Sequence, residues 1–187
     1  MLDGEKKVIE DAVKGESSAF GLLYDHYHPK IYRFVMVKVS RREEAEDLTH
    51  QVFLHAWQNI KTYRHQGFPF GSWLYRIARN QVIDHYRTKR SNLAFEEIDY
   101  DIPASDSNAN ERVEQNITLD AVRTAIATLK PEYQDVIMMR FVEDMSLKET
   151  AAAMQKSEGA VKLLQHRALK QLQAILVGRA EEPEATL

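Results

Sequence analysis

The chain has 187 residues, 25 lysines and arginines against 28 aspartates and glutamates, and a formal net charge of −3. It has no cysteine, which excludes disulfides, iron–sulfur clusters and thiolate metal sites. The longest apolar run is four residues and the first residues lack the order of a signal peptide, so we expect a cytoplasmic protein with no membrane insertion. The length suits one domain or two small ones.

The small net charge hides two adjacent blocks of opposite sign. Residues 61–92 carry seven basic side chains and one acidic, whereas residues 93–120 carry one basic and eight acidic. Charge blocks of this kind are typical of partner surfaces and tails. The net charge alone argues against a nucleic-acid partner, but its distribution favours one.

Helical periodicity dominates the first sixty residues. Apolar residues from Phe20 to Val35 recur at steps of three and four, and Pro29 is predicted to kink or briefly break this helix. Ser40 and Glu43 are predicted to form the capping box of a second helix. The predicted apolar face of that second helix consists of Ala45, Leu48, Val52, Ala56 and Trp57.

A glycine-rich break separates the second helix from a third. Gly67 to Gly71 interrupts the periodicity, and Ser72 is predicted to cap a long helix that runs to about Thr88. Periodicity then fails over a polar and acidic stretch, residues 93–116, which reads as a flexible linker.

The C-terminal part shows a second set of helices. Pro131 is predicted to end one helix and to begin the next, whose apolar face is Tyr133, Val136, Ile137 and Phe141. Ser146 and Glu149 form a second capping box, for a short helix through Met154. After a tight turn, Ser157 caps a last helix with Val161, Leu164, Ala168 and Leu172 facing inward.

These elements predict an all-α fold of two small helical domains. The predicted boundaries are an N-terminal domain over residues 1–92, an acidic linker over 93–116, a C-terminal domain over 117–178 and a tail over 179–187. No strand or hairpin signal competes with this interpretation.

The last two helices form a helix-turn-helix pattern. A short capped helix, a three-residue turn and a longer capped helix follow one another. The small residues predicted at the helix crossing are Ala151, Ala152, Gly159 and Ala160. Residues 156–179 carry five basic side chains and one acidic, which suits phosphate contacts. A plain helical hairpin with a solvated basic face is the alternative, and the combined pattern favours DNA.

The basic block combines cations with aromatic rings, which is typical of single-strand binding. Its arginines would contact phosphates, its rings would hold unstacked bases, and Asn80 could hydrogen-bond a base edge. Each ring taken singly, Trp73 and Tyr75 among them, is better explained by core packing, and only the whole set favours nucleic acid.

Two segments now make a family resemblance specific. Residues 45–57 resemble the core-polymerase-binding motif of bacterial extracytoplasmic-function (ECF) sigma factors, and residues 70–80 resemble their promoter-melting helix. Residues 129–133 and 157–162 resemble landmarks of their C-terminal domain. The resemblance implies a sigma factor that binds core RNA polymerase and directs it to minus-ten and minus-thirty-five promoter elements, with an anti-sigma factor as a further expected partner.

The resemblance also implies site residues. The polymerase-binding set is Asp47, Leu48, His50, Gln51, Phe53 and Trp57. The minus-ten set is Arg64, Phe68, Trp73, Tyr75, Arg76, Arg79, Asn80, Arg87 and Arg90. The minus-thirty-five set is Ser157, Lys162, Leu163, His166, Arg167 and Lys170.

Other classes fit the sequence less well. No histidines have the helical spacing with a carboxylate that a zinc site needs, and no nucleophile or phosphate-binding loop is evident, so we expect no enzyme, metal or cofactor. The alternatives are a free-standing helix-turn-helix regulator with an N-terminal ligand or dimerisation domain, or a sigma-like adaptor. Residues 45–57 argue against a ligand domain.

Overall fold

The computed structural model describes residues 4–39, 41–64, 68–93 and 121–180. Every regular element in these ranges is helical, which confirms the predicted all-α class. The N-terminal domain, residues 4–93, contains α1 (Glu5–Lys14), α2 (Ser17–Met36), α3 (Arg42–Asn59), a 3₁₀ turn (Ile60–Thr62) and α4 (Phe70–Leu93). The C-terminal domain, residues 121–180, contains α5 (residues 121–127), α6 (Pro131–Ile137), α7 (Leu147–Met154) and α8 (Glu158–Ala180).

Two predicted segments fall largely beyond these ranges. The predicted linker lies outside the described residues from position 94 onward, and the predicted tail does so from position 181. The division of the chain at residues 92 and 117 therefore stays a prediction, although α4 and α5 lie on either side of it.

The N-terminal domain is built around α2. Its buried face includes Tyr27, Ile31 and Phe34, as the spacing predicts. The helix continues through Pro29, so the predicted break is wrong. Proline removes one hydrogen bond from a helix, but Pro29 is exposed while Tyr27 and Ile31 on either side are held in the core. The short helix α1, which packs on α2 through Ala12, was not predicted.

Helix α3 has the predicted core face with one exception. Ala45, Leu48, Val52 and Ala56 are buried, whereas Trp57 is 39% exposed and packs edge-on against Phe20 at its rim. The helix begins at Arg42 with Arg41 at its N-cap and no side-chain cap. Ser40, the predicted capping residue, lies outside the described residues.

Helix α4 begins three residues earlier than predicted. Its first residue is Phe70, so Ser72 is a buried residue of the first turn and not its cap. Pro69 precedes the helix, and its carbonyl oxygen accepts the Ser72 amide at 3.0 Å. Gly71 allows a close approach here, because a Cβ at this position would lie 3.2 Å from the Tyr27 ring.

The C-terminal domain departs from prediction at one turn. Pro131 begins α6, as predicted, but α6 passes into a π-helical turn (Met138–Val142). A π turn takes more residues than an α turn and so rotates the following side chains out of register. Phe141, predicted to be buried, is consequently 52% exposed.

The helix-turn-helix has both predicted caps. Ser146 Oγ accepts the Glu149 amide at 3.2 Å, and Glu149 Oε2 accepts the Ser146 amide at 2.5 Å, which confirms the capping box and contributes about 1 kcal/mol. Ser157 Oγ accepts the Ala160 amide at 3.2 Å and so caps α8. Gln155 supplies the sharp turn between the helices with a φ of 54°.

The glycine at position 159 does not have the predicted packing role. Gly159 is exposed, and a Cβ added there would have no heavy atom within 4 Å. Helix α7 packs against α8, and Ala151 and Ala153 of α7 and Val161 and Ala168 of α8 are all buried. Of the four small residues predicted at the crossing, Ala151 is buried, Ala152 and Ala160 are half-buried, and Gly159 is exposed.

The two domains pack against each other. Helix α4 of the N-terminal domain lies against α7 of the C-terminal domain, and buried apolar residues of both belong to one continuous core. Ion pairs also cross this boundary. They lie next to the face of α4 that carries Arg76, Arg79 and Arg87, which we call its cationic face.

Candidate nucleic-acid and polymerase interfaces

The outer face of α3 presents a stripe of exposed side chains. Asp47, His50 and Gln51 lie on it, together with Leu54, which is 56% exposed. Steps of three and four between these positions put them on one helix face. Leu54 is absent from the predicted polymerase-binding set, although the spacing from Asp47 would have identified it.

The remaining members of that predicted set lie elsewhere on α3. Leu48 and Phe53 are buried, and the Phe53 ring packs against Tyr24 at a centroid distance of 4.7 Å. They support the helix from the core side in this structure. Trp57 lies at the edge of the exposed stripe, partly covered by Phe20.

An aromatic cluster fixes the entrance to α4. Phe70 is buried between Tyr63 and Trp73, with ring centroids 5.4 and 5.2 Å away, and Tyr27 lies 5.6 Å away on its other side. Burial, helped by the nearby Glu5 carboxylate, raises the pKa of Tyr63 to about 12, so its hydroxyl stays neutral. That hydroxyl donates to the Phe68 carbonyl at 3.4 Å and so holds Phe68, two residues before α4.

A small cavity of about 50 Å³ lies beside this cluster. Such a volume admits one or two water molecules and is too small for a nucleobase. One wall comes from Ala152 of the C-terminal domain, and the Lys148 ammonium lies 5.6 Å from the centre of the Phe68 ring. The other lining residues are Tyr63, Arg64, Phe68, Pro69, Ser72, Trp73 and Arg76.

The residues of the predicted minus-ten set differ in how far their side chains are exposed. Arg64, Asn80 and Arg87 are exposed, while Phe68, Trp73, Arg76 and Arg79 are partly covered. The side chain of Arg90 lies outside the described residues.

Tyr75 lies in the core rather than on the surface. Its ring packs edge-on against Phe34 at 5.3 Å, and its hydroxyl lies in the field of Glu143. Burial, with Glu143 adding to it, raises the pKa of Tyr75 well above its usual value. The core-packing alternative therefore describes Tyr75 in this structure.

A buried ion-pair cluster joins the two domains. Asp135 of α6 pairs through Oδ1 with Lys38 Nζ at 2.6 Å and through Oδ2 with Arg79 Nε at 2.9 Å. The side chains of Lys38 and Asp135 are each 4% exposed and that of Arg79 is 16% exposed. Burial lowers the pKa of Lys38, and the Asp135 carboxylate opposes this shift. The sequence contains no signal for this cluster, because its members are far apart along the chain.

Helix α8 carries the predicted minus-thirty-five set on its outer surface. Ser157, Lys162, Leu163, His166, Arg167 and Lys170 are all exposed. Arg140 holds this helix in place, which the sequence did not predict. Its Nε donates to Gln165 Oε1 at 3.1 Å, and its Nη1 donates to the Met145 carbonyl. The loop before α7 and the outer helix are thus tied by one guanidinium.

The described residues lack two further features, a metal site and a membrane-spanning helix. No group of three or more histidine, aspartate or glutamate side chains among them is arranged to hold a metal ion. None of the helices in the described ranges is both long and apolar enough to cross a bilayer.

Comparison with known protein families gives two matches, in chain order. Residues 23–92 match the family model of sigma-70 region 2, and residues 119–172 match that of sigma-70 region 4. The first match contains the exposed face of α3 and the cationic face of α4. The second contains the helix-turn-helix.

Individual proteins resemble the chain over most of its length. The ECF RNA polymerase sigma factor BldN of Streptomyces coelicolor is 37% identical over 91% of this chain and 65% of its own length. The ECF RNA polymerase sigma factor SigX of Bacillus subtilis is 31% identical over 82% of this chain and 81% of its own length. The chain thus spans slightly under two thirds of the first of these relatives.

One solved structure has the same fold. The sigma factor RpoE of Bartonella quintana, in complex with the anti-sigma factor NepR, superposes with a TM-score of 0.70 at 19% identity. The alignment covers 84% of this chain and 96% of the other. At this identity the likeness describes the fold alone.

Proposed function

The chain belongs to the ECF group of RNA polymerase sigma factors, and on that premise we propose that it binds core RNA polymerase and directs it to specific promoters. The observation that carries the proposal is the order of the two matched regions, each of which contains an exposed face suited to its role. A free-standing regulator with an N-terminal ligand domain is disfavoured, because region 2 occupies that part of the chain.

The proposed polymerase contact is the outer stripe of α3. Its apolar centre, Leu54 with Trp57 at the edge, is flanked by the polar side chains of Asp47, His50 and Gln51. An apolar anchor with a polar rim is the usual arrangement of an interface hot spot. In this proposal Leu48 and Phe53 keep the helix in place from the core.

The proposed minus-ten contact is the region from Arg64 to Arg90. Its aromatic cavity and Asn80 would receive a base that has left the duplex stack. The exposed Arg87 and the partly covered Arg76 and Arg79 would contact backbone phosphates, with Arg64 at the mouth of the cavity. The cavity must widen to accept a base, since it now holds about 50 Å³.

The proposed minus-thirty-five contact is the outer surface of α8. In a helix-turn-helix the second helix enters the major groove, and its exposed side chains read base edges and contact phosphates. Lys162, Arg167 and Lys170 supply positive charge to this surface. Leu163 and His166 differ from the residues more often found at these positions and so alter its shape. Ser157 at the helix start completes the set.

An anti-sigma factor is proposed as a further partner. The support is family membership together with the solved complex of the Bartonella quintana protein with its anti-sigma factor. The residues of this chain that would bind such a protein are not assigned.

The direct test is transcription in vitro with purified core RNA polymerase and a library of genomic promoters. We expect defined transcripts that depend on adding this protein. Defined starts from no promoter in the library would contradict the sigma function. Selection of bound sequences from random DNA with the reconstituted holoenzyme would then identify the two promoter elements.

Substitution of Asn80 by alanine is expected to slow formation of the open complex about tenfold or more, while closed-complex binding changes little. The side chain is exposed on α4, one helical turn after Arg76, which lines the cavity. A lost base-edge hydrogen bond matters only once the base is unstacked. Permanganate footprinting measures opening, and mobility shifts at low temperature measure closed binding. Gln81→Ala, on the adjacent face of the same helix, is the matched control; equal loss in both assays would contradict the assignment.

A further inference from the structure

Two cations from separate elements of the N-terminal domain converge on one carboxylate. Lys38 follows the end of α2, and Arg79 lies in the middle of α4. Each contacts a different oxygen of Asp135, at 2.6 and 2.9 Å. The Lys38 ammonium also lies 4.8 Å from the centre of the Phe34 ring, which holds its position from below.

The geometry is that of an oxyanion site. Cations that each bind a separate oxygen of one anionic group form the strong, charge-assisted contacts found at carboxylate and phosphate sites. Leaving either cation buried without an anion would be costly, because a buried unpaired charge is strongly disfavoured. The two cations therefore need an anion beside them in every state of the protein in which they stay buried.

The occupant in this structure comes from the other domain. Asp135 belongs to α6, whereas the face of α4 that carries Arg79 and Asn80 is the one proposed to contact promoter DNA. A second pair crosses the boundary nearby, between Arg33 Nη2 and the largely buried Glu143 carboxylate at 3.1 Å. Carboxylates of the C-terminal domain thus lie where DNA phosphates would approach.

The same packing narrows the proposed base pocket. Ala152 forms one wall of the cavity, and Lys148 lies over the Phe68 ring. Movement of the C-terminal domain away from this surface would remove that wall and widen the cavity for a base. That movement would remove Asp135 from Lys38 and Arg79 at the same time.

We propose that Lys38 and Arg79 form a phosphate site for the promoter strand, and that Asp135 occupies this site in the free chain and holds the domains closed. The identity of the anion as promoter phosphate rests on the proposed function. Lys38 is new to the DNA-binding set, since neither the charge block at residues 61–92 nor the family motifs include it. Exchange of carboxylate for phosphate keeps both cations paired, which offsets the cost of opening.

The closed state is tested on the free, full-length chain. The absence of cysteine allows two fluorescent labels at exposed positions, through Glu10→Cys in α1 and Gln173→Cys in α8. Asp135→Asn should lower the energy transfer between the labels, because Lys38 and Arg79 lose their anion and regain water only when the domains separate. It should also raise the affinity of the free chain for promoter DNA by about tenfold at low salt.

The matched control for Asp135 is Glu132→Gln. Glu132 lies on the same short helix and loses the same charge, but its ion pair is with Lys156 of its own domain, at 2.9 Å. It should leave both energy transfer and DNA affinity unchanged. An unchanged label distance in Asp135→Asn would overturn the proposal.

The phosphate site is tested in the holoenzyme by salt dependence. Each phosphate contact contributes about 0.9 to the slope of log affinity against log salt. Lys38→Gln should therefore reduce the slope for promoter binding by about 0.9, whereas Asp135→Asn should keep the wild-type slope. Lys7→Gln, an exposed cation on α1, is the control and should also keep it.

Lys38→Gln and Asp135→Asn together distinguish a phosphate site from a purely structural role of the ion-pair cluster. Both should open the free chain, but only Lys38→Gln should weaken the holoenzyme on promoter DNA. A purely structural cluster would make both variants lose promoter binding alike, and that result would overturn the proposal. If Lys38→Gln loses its helical circular dichroism, the Asp135→Asn measurements decide alone. A wild-type chain that starts no transcription would contradict the proposed function and not the closed state.

Discussion

Replacing Phe70 with alanine is expected to lower the free energy of unfolding by about 3–5 kcal/mol, the usual cost of removing a fully buried phenylalanine. The ring is 1% exposed and packs against Tyr27, Tyr63 and Trp73. Its loss would leave a void beneath the loop that precedes α4. Urea unfolding followed by circular dichroism measures the change.

The same variant should also fail to open promoters at temperatures where it is still folded. The Tyr63 hydroxyl holds the Phe68 carbonyl, and Tyr63 itself rests on Phe70, so the pocket loses its support. Phe141→Ala is the matched control, because that ring is half exposed and its loss should cost less than about 1 kcal/mol. A stability loss of similar size in both variants would show that Phe70 does not anchor the cluster.

Replacing Leu54 with aspartate is expected to weaken binding to core RNA polymerase by about thirtyfold or more, which corresponds to at least about 2 kcal/mol. The side chain is the most exposed large apolar residue on α3, so its substitution should not disturb the fold. In the proposed complex, however, a carboxylate would be buried in an apolar contact without a partner. Competition with a labelled sigma factor for core enzyme measures the affinity.

His55→Asp is the control for this effect. It introduces the same charge one residue along the same helix, about 100° around the axis from Leu54 and also on the exposed surface. It should reduce affinity for core enzyme far less than Leu54→Asp. Equal losses would indicate a general effect of charge on α3, and no loss at Leu54 would move the polymerase contact to another face.

Features that depend on neighbouring residues were predictable from the sequence. The capping box from Ser146 to Glu149 and the α8 cap at Ser157 involve residues three positions apart, and both are present as predicted. Pro131 begins α6 for the same local reason, since a proline is favoured where a helix has no amide hydrogen bond to lose. Two all-helical domains followed from such signals.

Features set by tertiary packing were not predictable. The continuity of α2 through Pro29 depends on buried neighbours, and the outward turn of Phe141 depends on a π turn that periodicity does not encode. The start of α4 at Phe70 reflects the aromatic cluster around that ring, which outweighs the capping preference of Ser72.

The candidate site divides in the same way. Family motifs identify which segments face polymerase and DNA, but burial decides which side chains within them are available. Tyr75, Leu48 and Phe53 match motif positions and yet lie in the core. Leu54 and Lys38, in contrast, were not predicted as site residues. Lys38 could not have been found by pattern, because its partner Asp135 is supplied by a distant helix of the other domain.

Because the chain is synthesised from its N-terminus, Lys38 and Arg79 are made before the carboxylate that covers them. Arg79, the later of the two cations, precedes Asp135 by about 56 residues, a delay of about 3–11 s at the usual rates of translation. Domains fold as they emerge, N-terminal first. Each new molecule therefore begins with the two cations facing solvent, and the carboxylate that covers them arrives only when α6 has been made.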